Sequence, residues 1–192
     1  MMTKPNTIRF VCLLLAFGAA LVWPVMRIRQ FECATDYTVF RFKVTLYDPY
    51  DLMRGRYLRF QVQPDRHTVG KKLDISWQKP GWVKFAEGKN GFARIAELSD
   101  RPIPGGVKVH AYTVPGYTGE KGSWSYRVEY PFSRYFVNEK DASEAEAIVR
   151  NAVRAKRPAE VLVRFYPDGN FMIEELRIDG KPLGQLLRAR RK

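Results

Sequence analysis

The chain has 192 residues, with 33 Lys or Arg against 20 Asp or Glu for a net charge of +13, the length of one domain of ordinary size. A hydrophobic content of 45% supports a packed core, and 14 Gly with 12 Pro are too few for a collagen-like or Pro/Gly-rich disordered chain. Two Cys and two His exclude a disulfide framework and a Cys/His zinc cluster, while 14% aromatic residues lean towards strands.

The first element is apolar. Residues 10–26, FVCLLLAFGAALVWPVM, carry no charge. Extension back to Ile8 gives nineteen residues, with Arg9 near the end, where its head group reaches the lipid head groups. A cleaved signal peptide and a retained transmembrane anchor both start from this pattern. The place of a cleavage site holds Pro24, Val25, Met26 and Arg27 instead of small residues, and Ala16, Ala19 and Ala20 fall inside the run. Neither Cys12 nor Cys33 follows a lipidation box. The reading is therefore an anchor over residues 1–29. Basic residues on the carboxyl side, Arg27, Arg29, Arg41 and Lys43, outnumber Lys4 and Arg9, which favours an inside carboxyl end. A long folded domain nevertheless translocates largely regardless of charge, so the domain is expected outside the cytoplasm.

Beyond the anchor, residues 30–184 read as one β-rich domain. In YTVFRFKVTLY, 37–47, Phe40, Phe42, Val44 and Leu46 share one face, and Arg41, Lys43 and Thr45 the other, as in a half-buried strand. DPYDLMRG, 48–55, is a turn-rich connection. In the strand at 56–62, Leu58, Phe60 and Val62 point inward, and Tyr57, Arg59 and Gln61 outward. Further strands are expected at 73–77, 82–86, 92–98, 107–114 and 124–130, with GKNG at 88–91 as a tight turn. Loops are read at 102–106 and 116–123, with His67 in a loop and His110 in a strand.

An amphipathic helix is predicted over 141–156. Ala145, Ile148, Val149, Ala152 and Val153 make its apolar stripe, Ser143 with Glu146 a capping box, and Pro158 its stop. A hairpin follows, 160–166 and 170–178, turning at Pro167, Asp168 and Gly169. Residues 185–192 read as a basic tail. The fold class is mainly β (α+β), a small β sandwich or barrel with one amphipathic helix near the carboxyl end, preceded by a transmembrane helix.

The segment Asp48-Pro49-Tyr50-Asp51-Leu52-Met53-Arg54-Gly55-Arg56-Tyr57 resembles the signature of the bacterial GDYXXLXY family. So do Trp82-Val83-Lys84-Phe85 with Gly91-Phe92-Ala93, Ser133-Arg134-Tyr135-Phe136-Val137-Asn138-Glu139, Tyr166-Pro167-Asp168-Gly169 and Leu176-Arg177-Ile178-Asp179-Gly180. Gly55 and Tyr57 match the signature. Arg56 stands where the family has Asp, Phe60 replaces Leu, and Val62 the final Tyr, so an acidic role at that Asp is not available here. The resemblance spans about residues 30–184. It implies a membrane-anchored bacterial domain that accompanies larger membrane proteins, an accessory subunit of unknown biochemical role.

Candidate binding residues are Asp48, Asp51, Arg54, Gly55, Arg56, Tyr57 and Arg59. They combine carboxylates, guanidinium groups and aromatic rings beside a backbone-exposing glycine, a set suited to binding phosphate, carboxylate or a protein partner. The bland reading pairs these arginines with Asp48 or Asp51 and only holds the turn. No catalytic residue is assigned. A serine nucleophile just beyond the anchor, a late cysteine in a barrel, G-x-S-x-G, a phosphate-binding loop and metal-ligand spacing are all missing from the sequence. No metal, cofactor or nucleic-acid partner is expected. Without residues 1–29 the chain holds 29 basic and 20 acidic residues, +9, which suits anionic lipid head groups. The expected function is that of a membrane-anchored interaction protein of the bacterial inner membrane with a membrane-protein partner. An envelope enzyme with an unrecognised site, or a binder of head groups or anionic envelope polymers, is the alternative.

Overall fold

The computed structural model describes residues 4–32, 34–46, 57–114 and 122–190. The chain divides into two units, Met1–Tyr37 and Thr38–Lys192. The first is helix α1, Lys4–Glu32. Its window Arg9–Met26 has mean hydropathy 2.0. At about 1.5 Å per residue it is about 27 Å long, close to the hydrocarbon thickness of a bilayer. It is a candidate membrane span by length and composition. Leu13, Leu15, Phe17 and Trp23 present apolar side chains outward, and Cys12 is an exposed free thiol.

In the second unit, strands β1 (Thr38–Leu46) and β2 (Tyr57–Gln63) bury the residues their alternation predicts: Phe42, Val44 and Leu46, then Leu58, Phe60 and Val62. They join β8 (Arg134–Phe136), β9 (Ala159–Phe165), β10 (Phe171–Ile178) and β11 (Lys181–Pro182) in a six-stranded sheet ordered β11-β10-β9-β1-β2-β8. A five-stranded sheet, β3-β7-β6-β4-β5, is built from β3 (Arg66–Val69), β4 (Gly81–Glu87), β5 (Ala93–Ser99), β6 (Val107–Thr113) and β7 (Trp124–Glu129). Every strand pair is antiparallel.

The sheets meet through aromatic rings. Phe42 of β1 lies 5.0 Å from Phe85 of β4 at 85°, and Phe85 lies 5.2 Å from Phe165 of β9. Tyr130 and Phe132, on the connection between β7 and β8, fill the space beside them. Edge-to-face contacts of this kind add to the burial of apolar area. The same core takes in Ala145, Ile148, Val149 and Ala152 of helix α2 (Ala142–Arg154), and Leu183 and Leu187 of helix α3 (Leu183–Arg190). The architecture is mainly β, 42% strand against 28% helix, with curled sheets.

Several expectations are corrected. Residues 73–77 are not a strand. Ser76 and Lys79 exchange backbone hydrogen bonds, and the Ser76 hydroxyl accepts the amides of Gln78 and Lys79, so a turn takes over. His67 lies in β3, not in a loop, because Arg66–Val69 pairs with β7. The capping box of Ser143 and Glu146 does not start the helix. A 3-10 turn, Glu139–Asp141, precedes it, and the Asn138 side chain accepts the Lys140 amide there. The basic tail drawn at 185–192 is helical through Arg190, because Leu183 and Leu187, one turn apart, are buried. The hairpin of β9 and β10 turns as predicted at Tyr166–Asn170. There Gly169 has φ +81°, and a Cβ on it would meet the Gly106 carbonyl oxygen at 2.8 Å.

Candidate functional site

Of the predicted binding residues, Asp48, Asp51, Arg54, Gly55 and Arg56 lie outside the described residues, as does Cys33. Tyr57 and Arg59 are placed, at the start of β2. They are solvent-facing because Leu58 and Phe60 take the alternate, inward positions. β8 lies antiparallel beside them, with Tyr57 opposite Phe136 and Arg59 opposite Arg134. The Tyr57 and Phe136 rings are 5.9 Å apart, and the Arg134 guanidinium sits 5.0 Å from the Tyr57 ring centre. Phe136 is 72% exposed.

Two arginines directly opposite across a ladder repel each other. Among the described residues, neither Arg59 nor Arg134 has a carboxylate within ion-pair distance. Among the described residues the charge of this pair is not balanced, and it lies next to an exposed aromatic ring. Two cavities border it. One of about 290 Å³ is lined by Arg59, Tyr112, Arg127, Glu129 and Ser133. The other, about 700 Å³, is lined by Phe132, Arg134, Phe136, Phe171 and Ile173 among others.

In the smaller cavity, the hydrogen bond that the Arg127 guanidinium donates to Tyr112, followed by the charges of Asp65 and Glu129, holds Arg127 protonated more firmly than usual. Asp65 also accepts from the Gln61 amide at 3.0 Å. Below it, the Tyr130 hydroxyl donates to the Pro64 carbonyl at 2.6 Å, and burial first, then the Asp65 charge, raises its pKa. Tyr112 also stacks on Trp77 at 5.2 Å and 15°, with His110 at 6.4 Å from Trp77. Trp77 is 61% exposed. Among the described residues, no group of three or more His, Cys, Asp or Glu could hold a metal ion.

The arrangement can recognise a planar anion through two guanidinium groups and an apolar side chain through Phe136 and Tyr57. The sequence reading names Tyr57 and Arg59 as candidates, and Arg134, Phe136 and Trp77 are not among its candidates. A three-residue strand has too little alternation to show itself. The segment 133–139 stood out only through the family resemblance.

A two-sheet, mainly β domain that follows an apolar helix in the chain is the class of protein these features define. The model of the family described as GDYXXLXY protein matches residues 20–176, and the chain belongs to that family. No curated protein and no solved structure matches the chain.

Proposed function

We propose that this is a membrane-anchored accessory protein of the bacterial envelope that acts by binding a membrane-protein partner rather than by catalysis. In this reading α1 is a retained single-pass anchor in the inner membrane, with the β-rich domain on the extracytoplasmic side. The observation that carries the binding role is the corner of Tyr57, Arg59, Arg134 and Phe136. It combines an exposed aromatic ring with two arginines that have no carboxylate partner among the described residues. Aromatic and Arg side chains are the usual anchors of protein interfaces. Asp48, Asp51, Arg54, Gly55 and Arg56 directly precede Tyr57 in the chain and belong to the same proposal. The apolar helix and the family membership support anchoring.

A photocrosslinking amino acid in place of Phe136, in native membranes, tests the reading. The expected result is a discrete crosslink to one membrane protein, absent from a control at the exposed position of Arg94 on the other sheet. Arg134→Glu should abolish it while the domain melts as before. Equal crosslinking from both positions, or a crosslink indifferent to Arg134→Glu, would assign the corner no partner.

A further inference from the structure

We propose a second site, independent of that corner: the groove between the end of β1 and the carboxyl end of α2 binds an organic phosphate. The groove has a volume of about 640 Å³, and its lining includes Lys43, Phe92, Val153, Lys156, Arg157 and Glu160. Among the described residues Glu160 is the only carboxylate in the lining, and it is already occupied. Its Oε2 accepts from Arg41 Nη2 at 2.8 Å, and its Oε1 lies 3.9 Å from Arg177 Nη1. Lys43, Lys156 and Arg157 have no carboxylate within ion-pair distance among the described residues. Three cations thus line one concavity, and among the described residues an anion there meets no free carboxylate.

The helix end is arranged to permit this. Its carbonyls would ordinarily oppose an anion. Here the Asn151, Ala152 and Val153 carbonyls accept the amides of Ala155, Arg157 and Lys156, which closes a Schellman motif. Lys156 is the residue after the cap, at φ +51°. Glycine is the usual occupant of that left-handed position, and a side chain there carries a conformational cost. Compensation of the helix dipole does not require Lys at that position, because Arg154 already stands in the last turn. The ammonium of Lys156 is what glycine could not supply.

The ligand class follows from size and wall chemistry. The volume far exceeds that of a bare phosphate. Phe92 lies under Lys43 Nζ at 4.9 Å, and together with Val153 and Pro158 it offers an apolar wall for an organic portion. A phosphate ester fits both halves. The same chemistry occurs in soluble phosphate esters and in phospholipid head groups.

The test uses the full chain in neutral detergent, with inorganic pyrophosphate as the probe and melting temperature as the readout. Pyrophosphate should raise the melting temperature saturably at concentrations up to about 10 mM, as mass action requires of a ligand that binds only the folded state. Lys156→Gly should raise the melting temperature without ligand, because it relieves the backbone, yet weaken pyrophosphate about tenfold or more. Lys43→Gln should weaken binding similarly with no gain in baseline stability. Opposite signs in stability and binding cannot come from misfolding. Absence of a saturable shift in the wild type, or wild-type affinity in Lys156→Gly, would overturn the site. Phosphatidylglycerol and phosphatidylcholine nanodiscs separate the sources. A preference for phosphatidylglycerol that both variants remove identifies a head group, and pyrophosphate binding without that preference identifies a soluble ester.

Discussion

Replacing Phe42 with Ala tests how the two sheets are held together. Phe42 is 0% exposed, and its ring contacts Phe85, Phe132, Phe165 and Tyr130 at centroid distances of 5.0, 5.2, 6.1 and 6.1 Å. Removal of the ring eliminates contacts with both sheets at once and leaves a cavity that neighbouring aromatic rings are too rigid to fill. Buried Phe→Ala changes cost about 3–5 kcal/mol, and the enclosed position of Phe42 places it near the middle, about 4 kcal/mol. For a domain of this size that is a drop of about 8–16 °C in melting temperature. Chemical denaturation followed by tryptophan fluorescence measures it directly. Phe42→Leu, which keeps most of the volume, should recover more than half of the loss. A loss below about 0.5 kcal/mol, inside the range of ordinary surface changes, would refute the assignment of these rings as the junction between the sheets.

Gly169→Ala should destabilise the domain by about 1–3 kcal/mol, and Gly169→Asn should not rescue it, because the close approach of Gly106 excludes any Cβ at a position where Asn would otherwise tolerate the positive φ. Rescue by Asn in denaturant titrations would point to torsion alone. Tyr130→Phe should cost about 1–3 kcal/mol by leaving the Pro64 carbonyl without its donor, read as a lower denaturation midpoint. Burial pushes the His67 imidazole below its ordinary value of 6.5. The unfolded chain therefore binds the proton more readily, and stability is lost as pH falls through 6.5 towards the folded value. An NMR titration should place His67 below 6.5, and His67→Asn should flatten that part of the pH–stability profile.

Two of the four residues of the proposed corner are named from the sequence. Tyr57 and Arg59 were visible because strong alternation over 56–62 assigns each residue a face. Their partners Arg134 and Phe136 sit in a strand of three residues, where alternation has no length in which to repeat. The repulsion of Arg59 and Arg134 exists only because 59 and 134 face each other in one register. The phosphate groove was illegible for the same reason. Lys43 and Lys156 are ordinary exposed lysines until the end of β1 and the end of α2 line one cavity.

Periodicity in the chain specifies the apolar α1, the faces of β1 and β2 and the stripe of α2, and turn chemistry specifies the hairpin of β9 and β10 around Gly169. Periodicity suffices there because a half-buried helix or strand must place its apolar residues on one side, wherever its neighbours are. Tertiary structure alone decided the rest. Arg66–Val69 and Arg134–Phe136 became strands because β7 and β2 present ladders to pair with. Leu73–Trp77, with a stronger strand pattern, pairs with no strand and turns at Ser76. Residues 183–190 became a helix because the core accepts Leu183 and Leu187. A short segment cannot repay its conformational entropy from its own contacts, so the partners it meets across the fold decide its structure.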